Sequence, residues 1–104
     1  MGKRKFKVTW SAEAIEGIGQ LFNVNARQVI RNSKHILSNN PYSSAFGIAN
    51  FPGYEFNGYF WIYINNVILI YNVKSDYKLV SIEACYSALT GEVAEIFYGI
   101  SPDG

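Results

Sequence analysis

The sequence predicts an α+β domain in which a helical hairpin covers one face of a mainly antiparallel sheet. The first observation is an uncharged stretch, residues 58–73, that reads as two strands around a polar break at residues 65 and 66. The second is helical periodicity in two segments between residues 11 and 40, and the third is strict alternation in residues 5–10. The predicted order is strand, helix, helix, three strands and a further short helix, which is typical of an α+β domain.

The composition fits one folded domain, residues 1–104. About half of the residues (49 %) are apolar and the formal net charge is +1, which excludes a strongly basic nucleic-acid-binding protein. Cys85 is the only cysteine and the sequence begins with no signal-peptide pattern, so we expect a cytoplasmic protein without an internal disulfide. Asparagines interrupt the uncharged stretch, so we expect no membrane span.

The first strand and the first helix follow from local patterns. In KFKVTW, residues 5–10, apolar and polar side chains alternate, which predicts a half-buried strand. Ser11 then caps a helix, and Glu13 lies near its positive end. The predicted apolar stripe of this helix consists of Ala14, Ile15, Ile18, Leu21 and Phe22.

The second helix has a clearer start signal. Asn25 precedes Gln28 by three residues, as in a capping box, and Val24 and Val29 have the spacing of a hydrophobic staple. Pro41 ends the helix, because proline disfavours helical geometry at the residue before it. The predicted buried face consists of Val29, Ile30, Ser33, Ile36 and Leu37. Only a few residues join the two helices, which predicts an antiparallel helical hairpin.

The uncharged stretch is predicted to be a β-hairpin. Asn65 and Asn66 suit a two-residue turn, because asparagine tolerates positive φ. With that turn, one surface of the hairpin carries Phe60, Ile62, Ile64, Val67, Leu69 and Tyr71. The other surface carries Tyr59, Trp61, Tyr63, Ile68, Ile70 and Asn72. Neither surface is polar enough to face water, so the second one needs a cover that the helical hairpin does not provide.

The segments on either side of the hairpin give weaker signals. Residues 42–58 read as a loop or as an irregular beginning of the sheet. Residues 78–86 predict a last strand with Val80, Ile82 and Ala84 on one side. Residues 89–99 predict a short helix with an apolar side.

The element order and several short motifs resemble the RelE/ParE toxin family, whose fold reads β-α-α-β-β-β(-α). The matching residues are the Ser-Ala-Glu-Ala helix start at 11–14, the Asn-Pro exit at 40–41 and Ile-Tyr-Asn-Val at 70–73. The resemblance runs from about Phe6 to Tyr98. It implies a toxin of a bacterial or archaeal toxin–antitoxin pair. Some members of the family cleave messenger RNA in the ribosome with basic residues on the open sheet face, and others poison DNA gyrase.

The chain departs from the family at the positions that carry its ribonuclease chemistry. Ile68 stands where the family usually has arginine, and residues 86–88 replace a basic cluster. Aromatic residues stand where some nuclease members have lysines, at Tyr59, Trp61 and Tyr63. RNA cleavage needs positive charge beside the scissile phosphate, so we predict that this chain has no ribonuclease activity.

Three residues are candidates for catalysis if the chain is an enzyme. Glu83, near tyrosines on the open face, would transfer protons, although pairing with Lys78 or solvation is the simpler role. Tyr98, or the neighbouring Phe97, stands in for the family's C-terminal tyrosine. His35 lies late in the second helix, where a cation suits the negative helix end and a structural role is simpler. No cysteine or carboxylate lies at ligand spacing near His35, so we predict no metal and no cofactor.

The aromatic row Tyr59, Trp61 and Tyr63, with Ile68 and Ile70 beside it, is predicted to be an interface. Tyrosine and tryptophan are enriched at the centres of protein interfaces, and a contiguous exposed apolar patch usually marks one. The alternative is that the chain's own C-terminal segment covers this face.

Two groups of basic residues are candidate contacts for nucleic acid or for an acidic segment of a partner. The N-terminal group consists of Lys3, Arg4, Lys5 and Lys7, and the second helix contributes Arg27, Arg31 and Lys34. A solvated helix face is the alternative role for the second group.

These observations favour a toxin-like component of a toxin–antitoxin pair that acts by binding proteins, with a cognate antitoxin as its partner. One alternative is a ribosome-dependent messenger RNA endoribonuclease with a non-standard catalytic set. Another is a homodimeric remnant without toxicity. The missing arginines favour binding over cleavage.

Overall fold

The computed structural model describes residues 5–21, 24–50 and 52–88. These residues form, in chain order, β1 (Lys7–Trp10), α1 (Ala12–Gln20), α2 (Ala26–Asn39), β2 (Gly47–Ile48), β3 (Phe60–Ile64), β4 (Val67–Lys74) and β5 (Leu79–Ser87). The two helices pack on a mixed five-stranded sheet, which confirms the predicted α+β fold. The helix predicted over residues 89–99 lies outside the described residues.

The sheet has the strand order β1-β5-β4-β3-β2. β1 pairs with β5 in parallel and the other neighbouring strands are antiparallel, so the sheet is mainly antiparallel as predicted. The parallel pair is possible because both helices and three strands separate β1 from β5 in the chain, and parallel neighbours need a long connection. β2 lies at the far edge of the sheet. It belongs to residues 42–58, which the sequence predicts to be a loop or an irregular beginning of the sheet.

The predicted capping residues begin both helices. The Ser11 hydroxyl oxygen accepts a hydrogen bond from the Ala14 N–H at 3.1 Å, and the Asn25 side-chain oxygen accepts one from the Gln28 N–H at 3.1 Å. Each cap satisfies an N–H group that a helix start leaves without an intrahelical partner. The local sequence therefore determines where α1 and α2 begin.

A main core fills the space between the helices and the sheet. Tyr71 is its largest fully buried side chain, and its hydroxyl donates a hydrogen bond to the Pro41 carbonyl oxygen at 2.6 Å. The buried members are Val8, Ala14, Ile18, Val29, Leu37, Ile62, Ile64, Val67, Leu69, Tyr71, Val80 and Ile82. Described members of both predicted stripes thus supply this core, although Ile15 is exposed and does not belong to it, and Phe22 lies outside the described residues.

The central hairpin has the predicted register along its full length. Asn65 and Asn66 have φ angles of 52° and 65°, as a type I′ turn requires. The Tyr63 hydroxyl donates a hydrogen bond to Asn66 Oδ1 at 2.7 Å, and the Asn32 side-chain amide on α2 donates one to Asn65 Oδ1 at 2.9 Å. The turn is therefore tied both to its own strand and to the helical layer.

A β-bulge interrupts β5, which the sequence pattern did not predict. Consecutive residues of β4 pair with Ala84 and Ile82, so Glu83 is an extra residue between them. Ile82 belongs to the main core, whereas Ala84 packs on the opposite side of the sheet and Cys85 packs against the main core again. The prediction that Ala84 shares a side with Ile82 is wrong, because alternation assumes regular pairing.

Candidate functional site on the second sheet face

The side of the sheet away from the main core, here named the second face, carries a second apolar cluster. Its buried members are Trp61, Ile68 and Ile70. The partly buried residues packed against them are Phe56, Tyr59, Ala84, Tyr86 and Ala88. They share this side because they alternate with main-core residues along β3 and β4, and because the bulge shifts the alternation in β5. The hairpin is thus apolar on both sides because it packs on both sides.

The segment before β3 covers part of the second face. The Ala49 N–H donates a hydrogen bond to the Tyr59 carbonyl oxygen at 2.8 Å, which closes this segment into a loop. The Phe56 ring lies 5.4 Å from the Tyr59 ring, and the hydroxyl oxygens of Tyr54 and Tyr86 are hydrogen-bonded at 2.8 Å. Aromatic side chains of the loop therefore lie against the sheet and shield its apolar residues.

The predicted interface row is accessible only in part. Ile68 and Ile70 are fully buried and Trp61 is 8 % exposed, whereas Tyr63 is 37 % exposed. Tyr59 is half-buried. Within this row, Tyr63 is therefore the most accessible side chain. The predicted role of the row in partner binding stays a prediction.

Phe46 extends the accessible aromatic surface, and sequence analysis did not single it out. Its side chain is 63 % exposed, and its ring lies 5.5 Å from Trp61 and 6.3 Å from Tyr63. Gly47 permits this packing, because a Cβ there would lie 2.9 Å from Trp61 Nε1. In the sequence, phenylalanine is followed by glycine at positions 46 and 47. This pair indicates packing on Trp61 only once it is known that β2 pairs with β3. Phe46 and Tyr63 are named the aromatic edge.

Toward β1 the second face becomes polar. Leu79 pairs with Lys7 on one side and with Lys74 on the other, and cross-strand neighbours share a face. Both lysines are exposed. The Ser81 hydroxyl donates a hydrogen bond to the Glu83 carboxylate at 2.7 Å. This polar end of the second face runs along the border between β1 and β5: Lys7 lies beside Leu79 at the start of β1, whereas Glu83 follows Ile82 and lies beyond the other end of β1.

A cavity of about 400 Å³ lies where β5 continues beyond the end of β1. Its lining consists of Glu13 and Gly17 of α1, Glu55 and Phe56 of the loop before β3, and residues 83–86 of β5. Three of these residues are glutamates, and no lysine or arginine is among the described residues that line it. The cavity is named the acidic cavity. The sequence had singled out Glu83, but nothing in its pattern indicated that Glu55 lies nearby.

Cys85 has the packing role that its apolar strand predicts. Its Sγ lies 3.5 Å from the Ala14 carbonyl oxygen, and burial raises the pKa of the thiol from 9.0 to about 11. Because the thiolate is the reactive form, Cys85 is an inert thiol at neutral pH.

The remaining predicted site residues lie elsewhere. His35, Arg27, Arg31 and Lys34 are exposed on α2, and Lys5 is exposed before β1. Lys3, Arg4, Phe97 and Tyr98 lie outside the described residues. In the described ranges, no group of three or more His, Cys, Asp and Glu side chains is placed to hold a metal ion. No helix formed by residues 5–21, 24–50 or 52–88 is long and apolar enough to cross a bilayer.

The fold is similar to that of a chain in the crystal structure of the toxin–antitoxin complex RelBE2 from Mycobacterium tuberculosis. The TM-score is 0.63 at 17 % sequence identity, and the match covers 80 % of this chain and 91 % of that chain. The chain therefore has a RelE-like fold, as the sequence resemblance predicted. No protein-family model and no curated protein matches the sequence.

Proposed function

We propose that this chain is the toxin-like component of a toxin–antitoxin pair and that it acts by binding a protein partner. The observation that carries the proposal is the RelE-like fold, shared over 91 % of a chain from a toxin–antitoxin complex. The proposed partner is a cognate antitoxin. The proposed compartment is the cytoplasm, where reducing conditions keep the single thiol of Cys85 free.

The aromatic edge supports a role in partner binding because its rings are both accessible and held in place. Phe46 packs on Trp61, and the Tyr63 hydroxyl is hydrogen-bonded to Asn66. A side chain that is already ordered loses little conformational freedom on binding, so more of its contact energy appears as affinity. In this proposal the rest of the predicted interface row supports the edge from beneath: Tyr59, Trp61, Ile68 and Ile70.

The test looks for a small reading frame adjacent to the one that encodes this chain, co-expresses its product with the chain and titrates the two purified proteins by calorimetry. We expect Tyr63→Ala to weaken the complex about tenfold or more, as truncation of an interface anchor does. Arg27→Ala, on the exposed side of α2, is the control and changes affinity by less than about twofold. Trp61→Ala is a poorer probe, since truncating a buried tryptophan costs about 3–5 kcal/mol of folding stability.

The absence of a complex with the neighbouring frame, or equal effects of Tyr63→Ala and Arg27→Ala, would contradict the proposed partner role. A second copy of the chain is the other candidate occupant of the aromatic edge. Sedimentation of the chain alone separates the two: a dimer that Tyr63→Ala dissociates would favour the homodimeric remnant without toxicity.

We further propose that the chain does not cleave RNA. The second apolar cluster consists of uncharged residues, and residues 89–104 contain no lysine or arginine. Positive charge beside the scissile phosphate is what cleavage needs. Translating ribosomes incubated with the purified chain should therefore keep intact messenger RNA in a primer-extension assay, and cut transcripts would contradict this proposal.

The second candidate function is that of a ribosome-dependent messenger RNA endoribonuclease with a non-standard catalytic set. The charged residues at the polar end of the second face favour it. There Lys7 and Lys74 flank Leu79, and Glu83 accepts the Ser81 hydrogen bond. In this candidate the lysines neutralise the phosphate and Glu83 transfers a proton. It predicts transcript cleavage that Lys74→Ala abolishes and that Arg31→Ala, on α2, leaves intact.

A further inference from the structure

The loop before β3 carries a pair of residues whose chemistry the proposed function does not use. Asn57 is the only asparagine in the sequence that glycine follows. Both Asn57 and Gly58 are exposed, and Gly58 has a φ angle of 92°, which a residue with a side chain rarely adopts. Because Gly58 has no Cβ, its backbone nitrogen can approach the preceding side chain with little steric hindrance. These features favour deamidation of an asparagine.

Deamidation begins when the backbone nitrogen of Gly58 attacks Cγ of Asn57. A bond forms between these two atoms, the bond from Cγ to the side-chain nitrogen breaks, and ammonia leaves with the proton that the Gly58 nitrogen gives up. Water then opens the resulting succinimide ring at either of its carbonyl groups. One opening gives aspartate, and the other gives isoaspartate, whose main chain is longer by a carbon atom. Both products carry a carboxylate where Asn57 has a neutral amide.

Hydrogen bonds of the folded loop oppose this reaction. The Gly58 N–H donates to the Ala49 carbonyl oxygen at 2.9 Å, so the attacking nitrogen is already engaged. The Asn57 N–H donates to the Tyr54 carbonyl oxygen at 3.3 Å, and the Tyr54 hydroxyl is hydrogen-bonded to the Tyr86 hydroxyl of β5 at 2.8 Å. The Gly58 nitrogen therefore becomes free to react only when this part of the loop separates from Ala49.

We propose that Asn57 is a deamidation site controlled by the loop: it is protected while Gly58 is hydrogen-bonded to Ala49, and it reacts when the loop opens. Opening of a loop is a local event that costs less free energy than unfolding of the sheet. The product adds a negative charge next to Phe56, which packs against the second apolar cluster together with Tyr59. Deamidation therefore weakens the cover of that cluster, and it does so irreversibly because ammonia is lost.

The first experiment incubates the purified full chain in mildly alkaline buffer, with and without guanidinium chloride, and follows each asparagine by peptide mapping and mass spectrometry. In denaturant we expect Asn57 to deamidate faster than every other asparagine, with isoaspartate among the products. In the folded chain Asn57 should react at least about tenfold more slowly, because the open loop is a minor state. Asn57→Gln is the chemical control, since the longer side chain closes the ring far more slowly.

The second experiment weakens the attachment of the loop to the sheet. Tyr86→Phe removes the hydrogen-bonding partner of the Tyr54 hydroxyl and keeps the ring, so deamidation of the folded chain should accelerate about threefold to tenfold. Hydrogen exchange of the Gly58 amide should accelerate by the same factor. The Leu69 amide, in a strand paired on both sides, should keep its protection. Tyr77→Phe, at a side chain that is 79 % exposed between β4 and β5, is the matched control and should change neither rate.

Four results would overturn the proposal. They are faster deamidation of another asparagine in denaturant, equal rates at Asn57 in the folded and denatured chain, equal effects of Tyr86→Phe and Tyr77→Phe, and a parallel acceleration of exchange at Leu69. The last result would assign the effect to global unfolding. None of these measurements involves a partner protein, so their outcome is independent of the antitoxin titration.

Discussion

At the scale of single residues, Gly47 shows how a missing side chain positions a large one. Trp61 uses the space that a Cβ at Gly47 would occupy, and Phe46 packs against the outer side of the same ring. The accessible aromatic edge therefore depends on a residue that has no side chain. Nothing in the alternation of apolar and polar residues expresses such a requirement, because it concerns the volume between two strands.

We predict that Gly47→Ala lowers the free energy of unfolding by about 1–3 kcal/mol, because the added methyl group forces the Trp61 ring to shift. Urea unfolding followed by tryptophan fluorescence measures it. The control is Gly19→Ala in α1, where a Cβ would meet nothing within 4 Å. That change should stabilise the chain by about 0.5–1 kcal/mol, the usual gain of alanine over glycine in a helix. Equal effects of the two substitutions would rule out the packing argument.

At the scale of secondary-structure elements, the turn between β3 and β4 sets the register on which both apolar clusters depend. A shift by one residue would exchange the two sides of the hairpin. The left-handed φ angles of Asn65 and Asn66 determine the turn, and the hydrogen bond from Asn32 joins it to α2. The bulge at Glu83, by contrast, depends on contacts between elements that are distant in the chain. There β5 pairs with β4, and the Ser11 hydroxyl at the start of α1 donates a hydrogen bond to the Glu83 carbonyl oxygen.

We predict that Asn65→Ala destabilises the chain by about 1–2 kcal/mol more than Asn65→Gly. Both variants lose the hydrogen bond from Asn32, so the difference between them reports the strain of φ 52° at a residue with a Cβ, reduced by the larger conformational entropy that glycine loses on folding. Equilibrium unfolding in urea at one pH supplies both values. If the two variants are equally stable, the turn does not hold the left-handed conformation.

At the scale of the whole molecule, two apolar clusters share one sheet. Val67, Leu69 and Tyr71 of β4 face the main core, while Ile68 and Ile70 face the second cluster. All five are fully buried, so β4 is enclosed on both faces. The helices cover only one of these faces, and in the described residues Phe56 and Tyr59 contribute to the cover of the other.

Burial of titratable side chains in the sheet predicts a loss of stability at alkaline pH. Burial raises the pKa of the Cys85 thiol from 9.0 to about 11, and burial also raises the pKa of the Tyr71 hydroxyl. A group with a raised folded-state pKa contributes stability that is fully present below its unfolded pKa. That contribution is lost as the pH rises toward its folded pKa, because only the unfolded chain releases the proton there. The free energy of unfolding should therefore fall above the unfolded thiol pKa of 9.0.

Urea unfolding at about pH 8, 9 and 10 measures this slope, in the window where the Cys85 thiol titrates ahead of the Tyr71 hydroxyl. Cys85→Ala should show a shallower decline than the native chain, whatever its stability at neutral pH. A variant that declines as steeply as the native chain would show that Cys85 is not the titrating group.

The sequence also predicted part of the candidate site. The prediction that Trp61, Ile68 and Ile70 form an apolar side away from the helices was correct. Alternation along a strand can be recognised without knowing what the strand packs against. Their accessibility was not predictable, since it depends on where the loop before β3 lies. Phe46 and Glu55 were missed for the same reason: their neighbours are distant in the chain or separated by a turn.

By itself the sequence determined the order of β1, α1, α2, β3, β4 and β5, the capping of the helices by Ser11 and Asn25, and the reversal at residues 65 and 66. Each of these follows from interactions within a few residues, whether side-chain hydrogen bonds or φ preferences. Only the tertiary structure decided the bulge at Glu83, the aromatic edge and the acidic cavity. These arise where strands and helices distant in the chain meet, and local periodicity carries no information about which of them become neighbours.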